Sequence, residues 1–153
     1  MQQATLCLLL RENQILLAMK KRSFGKGKWN GVGGKPEGNE TIKETAIREA
    51  KEEIGVDIKK SDLEKVCNFK FFFKDEKWNQ EVHIFLCKSW YDDIIETEEM
   101  MPQWFDVDKI PYESMWSDDK HWLPRVLNGE RLKGEFYFND STDGFDKINI
   151  IRV

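Results

Sequence analysis

Hydrophobic and polar residues alternate along most of this chain, in short segments separated by polar turns. This period of two residues is typical of β-strands that bury one face. The first two segments are separated only by the polar residues around Glu12 and Asn13, which predicts that these strands pair. We expect strands at residues 3–10, 14–20, 65–73, 80–88, 103–107, 132–138 and 148–153, and we expect 65–73 and 80–88 to form a hairpin through a polar turn at residues 74–79.

A longer period predicts an α-helix after the second strand. Thr41 is followed three residues later by Glu44, the capping-box pattern that starts a helix. Gly55 is suited to a left-handed residue at the helix end. Between them one apolar residue recurs every four positions and predicts a buried stripe: Ile42, Ala46, Ala50 and Ile54.

A second helix is predicted from Ser117 to Asn128. Ser117 is the expected N-cap, and Asp118 and Asp119 place negative charge at the positive end of the helix. Asn128 and the following Gly129 are expected to end it. Strands alternating with helices predict a mixed sheet flanked by helices, within the α/β class.

Length and composition narrow the kind of protein. A chain of 153 residues fits one domain, which we expect to span residues 1–153. The net charge of −4 argues against binding to duplex nucleic acid. No apolar run is long enough to span a membrane. Three cysteines without metal spacing are expected to be reduced core residues, which favours a cytoplasmic protein.

Acidic side chains converge on one face of the first predicted helix. Glu49, Glu52 and Glu53 fall within an arc of roughly 100°. A set of carboxylate oxygens suits Mg²⁺ or Mn²⁺, and a solvated acidic face is the alternative in a chain that is 34% charged. Arg48 either orients one carboxylate through a bidentate ion pair or forms a surface salt bridge.

The spacing of residues 34–56 is more restrictive than the acidic face alone. It reads Gly-x5-Glu-x7-Arg-Glu-x2-Glu-Glu-x-Gly-Val and resembles the signature of the Nudix hydrolases, which cleave diphosphates linked to another moiety. The resemblance implies the Nudix fold, an α/β/α sandwich with a mixed β-sheet. It also implies Mg²⁺, or alternatively Mn²⁺, bound by these residues: Glu49, Glu52, Glu53, the carbonyl of Gly33 or Gly34, and the later carboxylate Glu99.

Resemblance extends beyond that segment. The stretches ILLAMKKRSFGKGKWNGVGGK, EEMMPQWFDVDKIP and MWSDDKHWLP resemble the MutT-homologue branch of the family, which hydrolyses oxidised purine nucleoside triphosphates. This implies that Trp116 stacks on the purine while Asp118 and Asp119 contact its hydrogen-bonding edge. Two adjacent carboxyls serve this purpose best when they share one proton. The resemblance implies that the nucleotide also contacts Thr5, Lys20, Phe24, Asn30 and Lys35.

The implied reaction is Mg²⁺-dependent hydrolysis of substrates such as 8-oxo-dGTP or 2-oxo-dATP to the monophosphate and pyrophosphate, which would sanitise the nucleotide pool. Glu52 or Glu53 is the expected general base, with Glu99 as an alternative, and Arg48 and Glu49 complete the catalytic group. Lys20 and Lys35 are expected to bind phosphate as point charges. We expect a monomer whose partner is the nucleotide.

Departures from the family pattern leave alternatives open. Gln80 stands where the MutT homologues have a methionine that lines the base pocket, so the preferred base is uncertain. Ser117 replaces a proline, and Ala50 replaces a bulkier aliphatic residue. The alternatives are hydrolysis of another nucleoside triphosphate or a methylated purine nucleotide, and a nucleotide-binding module without turnover.

Overall fold

The computed structural model describes residues 1–153. Two α-helices are present, α1 (Ile42–Ile54) and α2 (Asp119–Leu127). Single turns of 3-10 helix occupy Lys60–Asp62, Glu76–Trp78 and Tyr112–Ser114. The eight strands are β1 (Gln2–Arg11), β2 (Gln14–Lys20), β3 (Trp29–Asn30), β4 (Leu63–Phe72), β5 (Gln80–Cys87), β6 (Met100–Asp106), β7 (Leu132–Phe138) and β8 (Phe145–Arg152).

All eight strands belong to one mixed sheet. Its main order is β3-β2-β1-β5-β4-β7-β8, and β6 pairs separately with β2. The β1–β5 and β4–β7 pairs are parallel, whereas the other pairs are antiparallel. The β1–β2 and β4–β5 hairpins expected from the sequence are therefore both confirmed.

The two helices cover opposite faces of this sheet. Ala46 and Ala50 of α1 are fully buried against the strand residues Cys7 and Leu9. On the other face, Trp122 of α2 packs in a separate core with strand residues such as Phe69. Alternate residues of β1 therefore contribute to different cores, as the pleat of a strand requires. The arrangement is an α/β/α sandwich, as predicted.

The ends of α1 are set by local chemistry. The Thr41 side chain accepts a hydrogen bond from the Glu44 amide at 3.2 Å, and the Glu44 carboxylate accepts one from the Thr41 amide at 2.8 Å. Gly55 adopts φ of 79°, which is left-handed, and donates to the Lys51 carbonyl at 3.1 Å. The capping box and the glycine end of the helix are both confirmed.

The start of α2 differs from the prediction. Ser117 is not the N-cap, and its buried Oγ has no hydrogen-bond partner. Asp118 takes the cap position with helical dihedral angles, and the helix begins at Asp119. The Asp118 carboxylate accepts from the Trp122 indole at 2.9 Å and makes no capping hydrogen bond to the backbone. Tertiary packing has therefore displaced the local capping signal.

Two strands are longer than their apolar runs. β6 begins at Met100, three residues before the predicted start at residue 103, because it pairs with β2 as far as Lys20. β8 begins at Phe145 and its pairing with β7 contains an irregularity after Tyr137. Backbone pairing with a neighbouring strand, which periodicity does not encode, sets both starts.

The remaining expectations about the core are met. Cys7, Cys67 and Cys87 lie in strands, are buried and form no disulfide. His83 is buried in β5 and contacts Gln3 and Lys65, a structural role. Neither helix combines the length and the apolar composition needed to cross a membrane.

Candidate active site

A cavity of about 280 Å³ lies on the face of the sheet that α2 covers. One wall is apolar and consists of Phe71, Phe73, Val82, Ile84 and Phe138 with Trp122 from α2. All the residues expected to contact the nucleotide line this cavity: Thr5, Lys20, Phe24, Asn30, Lys35, Trp116, Asp118 and Asp119. Gly33, Gly34 and Glu53 line it as well, so the cavity reaches the acidic helix.

The Asp118–Asp119 pair lies at the start of α2, where both residues are buried. Asp118 Oδ2 accepts from the Trp122 indole, whereas Asp119 Oδ2 has no hydrogen-bond partner. Burial, followed by the charge of Asp118, raises the pKa of Asp119 well above its ordinary value. Burial also raises the pKa of Asp118. One proton shared between the two carboxyls fits this environment, and it gives the pair both a donor and an acceptor.

Trp116 is half-buried at the cavity mouth. Its ring lies 5.2 Å from the Phe24 ring, centroid to centroid, at 34°. Phe24 itself is 76% exposed. Lys28 Nζ stands 5.1 Å from the Trp116 ring centroid and its charge opposes the raised pKa of Asp119. The sequence analysis assigned no role to Lys28. This residue lies in the segment ILLAMKKRSFGKGKWNGVGGK, but no motif or residue spacing in that segment singles it out.

The loop that contains Gly33 and Gly34, here called the glycine loop, is hydrogen-bonded to β1. The Thr5 amide donates to the Gly34 carbonyl at 2.8 Å, so the loop runs alongside the strand. A Cβ on Gly33 would lie 1.9 Å from the Thr5 carbonyl oxygen, and one on Gly34 would lie 2.5 Å from a Glu49 carboxylate oxygen. Only glycine permits this approach, so the backbone of residues 33–34 reaches the carboxylates of α1.

Glu53 is the buried carboxylate of the acidic face, with 3% of its surface exposed. Its Oε1 accepts a hydrogen bond from the Gly33 amide at 2.8 Å. Its pKa is raised from 4.5 to about 8, mainly by desolvation; the charges of Glu49 and Glu99 contribute to this rise, while the Gly33 amide and Lys20 oppose it. A buried carboxyl with one hydrogen bond and acidic neighbours is poised to lose its proton when positive charge approaches.

Arg48 organises the exposed side of the same face. Its Nε and Nη2 bind the Glu40 carboxylate bidentately at 2.7 and 3.1 Å. Its Nη1 donates to Glu49 at 2.9 Å and to Glu52 at 3.2 Å. The Arg48 hydrogen bond lowers the pKa of Glu40 to about 2. The bidentate partner is thus Glu40, a member of the signature to which sequence reasoning gave no role.

The other predicted metal ligands occupy the same region. Desolvation raises the pKa of Glu49; Arg48 opposes the rise, and the charges of Glu52 and Glu99 add to it. Glu52 is exposed, and Glu99 is an exposed residue directly before β6. No three His, Cys, Asp or Glu side chains form a closed ligand set. Like charges on these carboxylates repel one another, and Arg48 holds Glu49 and Glu52 through hydrogen bonds, so a closer approach of the acidic side chains is disfavoured.

Comparison with known proteins identifies related chains independently of the site geometry. The profile of the NUDIX domain family matches residues 1–126. The zebrafish (Danio rerio) protein named "Oxidized purine nucleoside triphosphate hydrolase" is 46% identical over 134 residues, 88% of this chain and 85% of that protein. The mouse (Mus musculus) protein of the same name is 43% identical over 136 residues, covering 89% and 86%.

A solved structure shows the same architecture. The crystal structure of a mutator MutT protein from Bacillus halodurans superposes with a TM-score of 0.83 at 26% sequence identity. The match covers 98% of this chain and 97% of that one. The likeness therefore extends through both helices and the whole sheet.

Proposed function

The chain belongs to the Nudix hydrolase family, and from that premise we propose that it hydrolyses oxidised purine (deoxy)nucleoside triphosphates, such as 8-oxo-dGTP or 2-oxo-dATP. The products would be the monophosphate and pyrophosphate. The observation that carries this proposal is the buried Asp118–Asp119 pair, whose unpartnered Asp119 oxygen lines a cavity that also reaches Glu53. One cavity thus offers a base-reading group and a carboxylate cluster.

The proposed base recognition uses polar and aromatic side chains that line the cavity. A proton shared between Asp118 and Asp119 presents one donor and one acceptor to a purine edge, and moving that proton reverses the pattern. This reversal suits oxidised guanine and oxidised adenine, which differ in the donors and acceptors of that edge. Trp116 supplies an aromatic face for the ring, and Asn30 supplies an amide elsewhere in the cavity. Thr5 and Phe24 complete the set of proposed base contacts.

The donor set of the acidic face fits a hard divalent cation. Four carboxylates, on Glu49, Glu52, Glu53 and Glu99, and the nearby carbonyls of residues 33–34 are all oxygen donors. Glu53 is buried and has acidic neighbours, so its ionised form gains most from added positive charge. Nudix hydrolases generally use divalent metal ions. We propose Mg²⁺, with Mn²⁺ as a substitute, held by these groups.

Catalysis by the residues of this chain would begin with attack of water on the α or the β phosphorus of the triphosphate. The phosphoanhydride link between these two phosphorus atoms would break, giving the monophosphate and pyrophosphate. Mg²⁺ supplies Lewis-acid neutralisation of phosphate charge when bound. Glu53, fixed by the Gly33 amide, takes the proton of the attacking water, with Glu52 and Glu99 as the other candidate bases. Arg48 holds Glu49 in place. Lys20 and Lys35, which both line the cavity, pair with phosphate oxygens.

A second substrate class is favoured by one residue. Gln80 lines the cavity beside the aromatic wall formed by Phe71 and Phe73, and it adds an amide to an otherwise apolar side. This change in the lining alters which base substituents fit there, so the alternative substrate is another nucleoside triphosphate or a methylated purine nucleotide.

We further propose that residues 1–153 form a single domain that acts as a cytoplasmic monomer, sanitises the nucleotide pool and thereby limits DNA damage.

A nucleotide panel tests the proposal. Pyrophosphate release is measured for 8-oxo-dGTP, 2-oxo-dATP, a methylated purine nucleotide and dGTP, each with Mg²⁺ and with a chelator. We expect kcat/KM for an oxidised purine to exceed that for dGTP by about tenfold or more, equal to roughly 1.4 kcal/mol. A preference for the methylated nucleotide would favour the second class. Equal values throughout, or turnover that survives chelation, would contradict the proposal.

A further inference from the structure

Residues 95–97, in the segment between β5 and β6, hydrogen-bond to the C-terminal end of α1. The Ile95 amide donates to the Ile54 carbonyl at 2.9 Å, and the Thr97 hydroxyl donates to the Glu53 carbonyl at 2.8 Å. Carbonyls in the last turn of a helix have no partner within the helix, so water or another part of the chain satisfies them. Residues 95–97 do so, at the residue that carries the buried carboxylate.

The Thr97 hydroxyl also holds the residues that follow it. Its Oγ1 accepts from the amides of Glu99 at 3.3 Å and Met100 at 3.2 Å. The Thr97 amide donates to the Met100 carbonyl at 3.0 Å. One hydroxyl therefore joins the backbone of Glu53 to the backbone of Glu99. This link needs a group that both donates and accepts, which a methyl group cannot replace.

A second tether fixes the same segment from the other side. Lys21 Nζ donates to the Thr97 carbonyl at 2.7 Å and forms an ion pair with Glu96. The Lys21 amide donates to the Glu99 carbonyl at 2.9 Å. Lys21 directly follows Lys20, which lines the cavity. The position of Glu99 is therefore set by α1 and by the end of β2 together.

Glu99 lies close enough to two carboxylates of α1 for their like charges to repel. The charge of Glu99 acts on both Glu49 and Glu53 and favours their neutral forms. The Glu99 carboxylate is exposed and lies 4.0 Å from Arg22 Nη2, so the backbone hydrogen bonds to Thr97 and Lys21, rather than side-chain contacts, hold Glu99 beside α1. We propose that Thr97 is a positioning residue that holds the backbone of Glu99 beside α1, so that the Glu99 carboxylate is within reach of a cation bound by the carboxylates of α1. This inference deepens the proposed function and rests on it.

The first experiment compares Thr97→Val, which keeps the shape but loses the hydroxyl, with Thr97→Ser, which keeps the hydroxyl. Partners that orient metal ligands typically contribute 10- to 100-fold to metal affinity or activity. We expect Thr97→Val to lower kcat about tenfold and to raise the Mg²⁺ concentration for half-maximal activity, with KM for the nucleotide within about twofold. Thr97→Ser should restore both. Unchanged kcat and Mg²⁺ requirement in Thr97→Val would overturn the inference.

A double-mutant cycle separates positioning from general stability. If Thr97 acts through Glu99, then Thr97→Val should have little further effect on kcat in a Glu99→Gln background. Equal losses in both backgrounds would mean that Thr97 only stabilises the fold, which contradicts the proposal. Should Thr97→Val fold poorly, Lys21→Met removes the second tether from a partly exposed site. It is expected to lower kcat about threefold, again only when Glu99 is present.

Mn²⁺ binding gives a readout that does not depend on turnover. Free and bound Mn²⁺ are distinguished by electron paramagnetic resonance in the wild type, Thr97→Val and Thr97→Ser. We expect weaker binding by about tenfold in Thr97→Val alone. Equal Mn²⁺ affinity in all three proteins would refute the positioning role. If the wild type binds Mn²⁺ but hydrolyses no oxidised purine nucleotide, the proposed substrate is wrong while the positioning role is still tested.

Discussion

Replacing Glu53 by glutamine should stabilise the protein in the absence of a divalent cation, even though it removes the proposed general base. The side chain is 3% exposed, and its pKa is raised from 4.5 to about 8, first by desolvation. Glutamine has nearly the same shape and can still accept from the Gly33 amide. It never carries the charge that the folded protein disfavours.

The magnitude follows from linkage between proton binding and folding. Because the folded pKa is higher than the unfolded one, the folded state keeps the proton between pH 4.5 and about 8. Stability is therefore lost as pH rises through this window. Each pKa unit corresponds to about 1.4 kcal/mol, and sharing of the shift with neighbouring carboxylates reduces the cost of Glu53 to roughly 2–4 kcal/mol near pH 8.

Part of that gain is offset because the glutamine NH₂ group enters a buried site and needs a partner, at a cost of about 1 kcal/mol. The net stabilisation is then roughly 1–3 kcal/mol at pH 8 and close to zero at pH 5. For a chain of this length it corresponds to a rise in Tm of about 3–10 °C.

The assay is thermal unfolding of both proteins with a chelator, followed by circular dichroism from pH 5 to pH 8. We expect the Tm difference to grow with pH, and Mg²⁺ to raise the Tm of the wild type more than that of Glu53→Gln. In the presence of Mg²⁺ the variant should lose at least about a hundredfold in kcat. A Tm difference that does not depend on pH, or a variant less stable than the wild type at pH 8, would refute the reasoning.

Three further predictions concern the base pocket and the glycine loop. Asp118→Asn and Asp119→Asn should each retain Mg²⁺-dependent hydrolysis but shift the ratio of kcat/KM for 8-oxo-dGTP over 2-oxo-dATP by about tenfold, or roughly 1.4 kcal/mol; unchanged ratios in both would limit the pair to a structural role. Trp116→Ala should weaken nucleotide binding by roughly 1–3 kcal/mol in a titration with a non-hydrolysable analogue. Its Tm should fall less than that of Trp122→Ala, a core change that typically costs about 3–5 kcal/mol; the opposite order would assign Trp116 to the core. Gly33→Ala should unfold the loop or lose activity, because its Cβ would lie 1.9 Å from a backbone oxygen of β1; normal kcat and Tm in this variant would contradict the close approach.

Local chemistry made the acidic helix predictable. The capping box at Thr41, the apolar stripe through Ala50 and the left-handed Gly55 all depend on residues within one or two turns of each other. Such short-range interactions act in the same way in any fold, so the sequence determined both ends of α1 and the face on which its carboxylates lie. The β1–β2 and β4–β5 hairpins were predictable for the same reason, because the alternation of apolar residues and the turn residues are local features of the sequence.

Tertiary structure decided what the local signals left open. Ser117 and Asp118 are equally suitable caps by residue type, and the helix starts after Asp118, whose carboxylate makes a buried contact with Trp122. The bidentate partner of Arg48 proved to be Glu40, eight residues away, rather than a carboxylate of the triplet. In both cases several partners were chemically equivalent in the sequence, and only packing selected one.

The sequence by itself determined the donor types and their spacing on α1, and so the chemistry that the acidic face can perform. It did not determine the charge state of that face. Glu53 and Asp119 are ordinary carboxyls in the sequence, and their raised pKa values arise because strands and loops distant along the chain remove water from them. The link from Thr97 to Glu99 likewise exists only after residues 95–99 dock on α1. Desolvation and contacts between distant segments depend on the assembled three-dimensional structure, which no local pattern encodes.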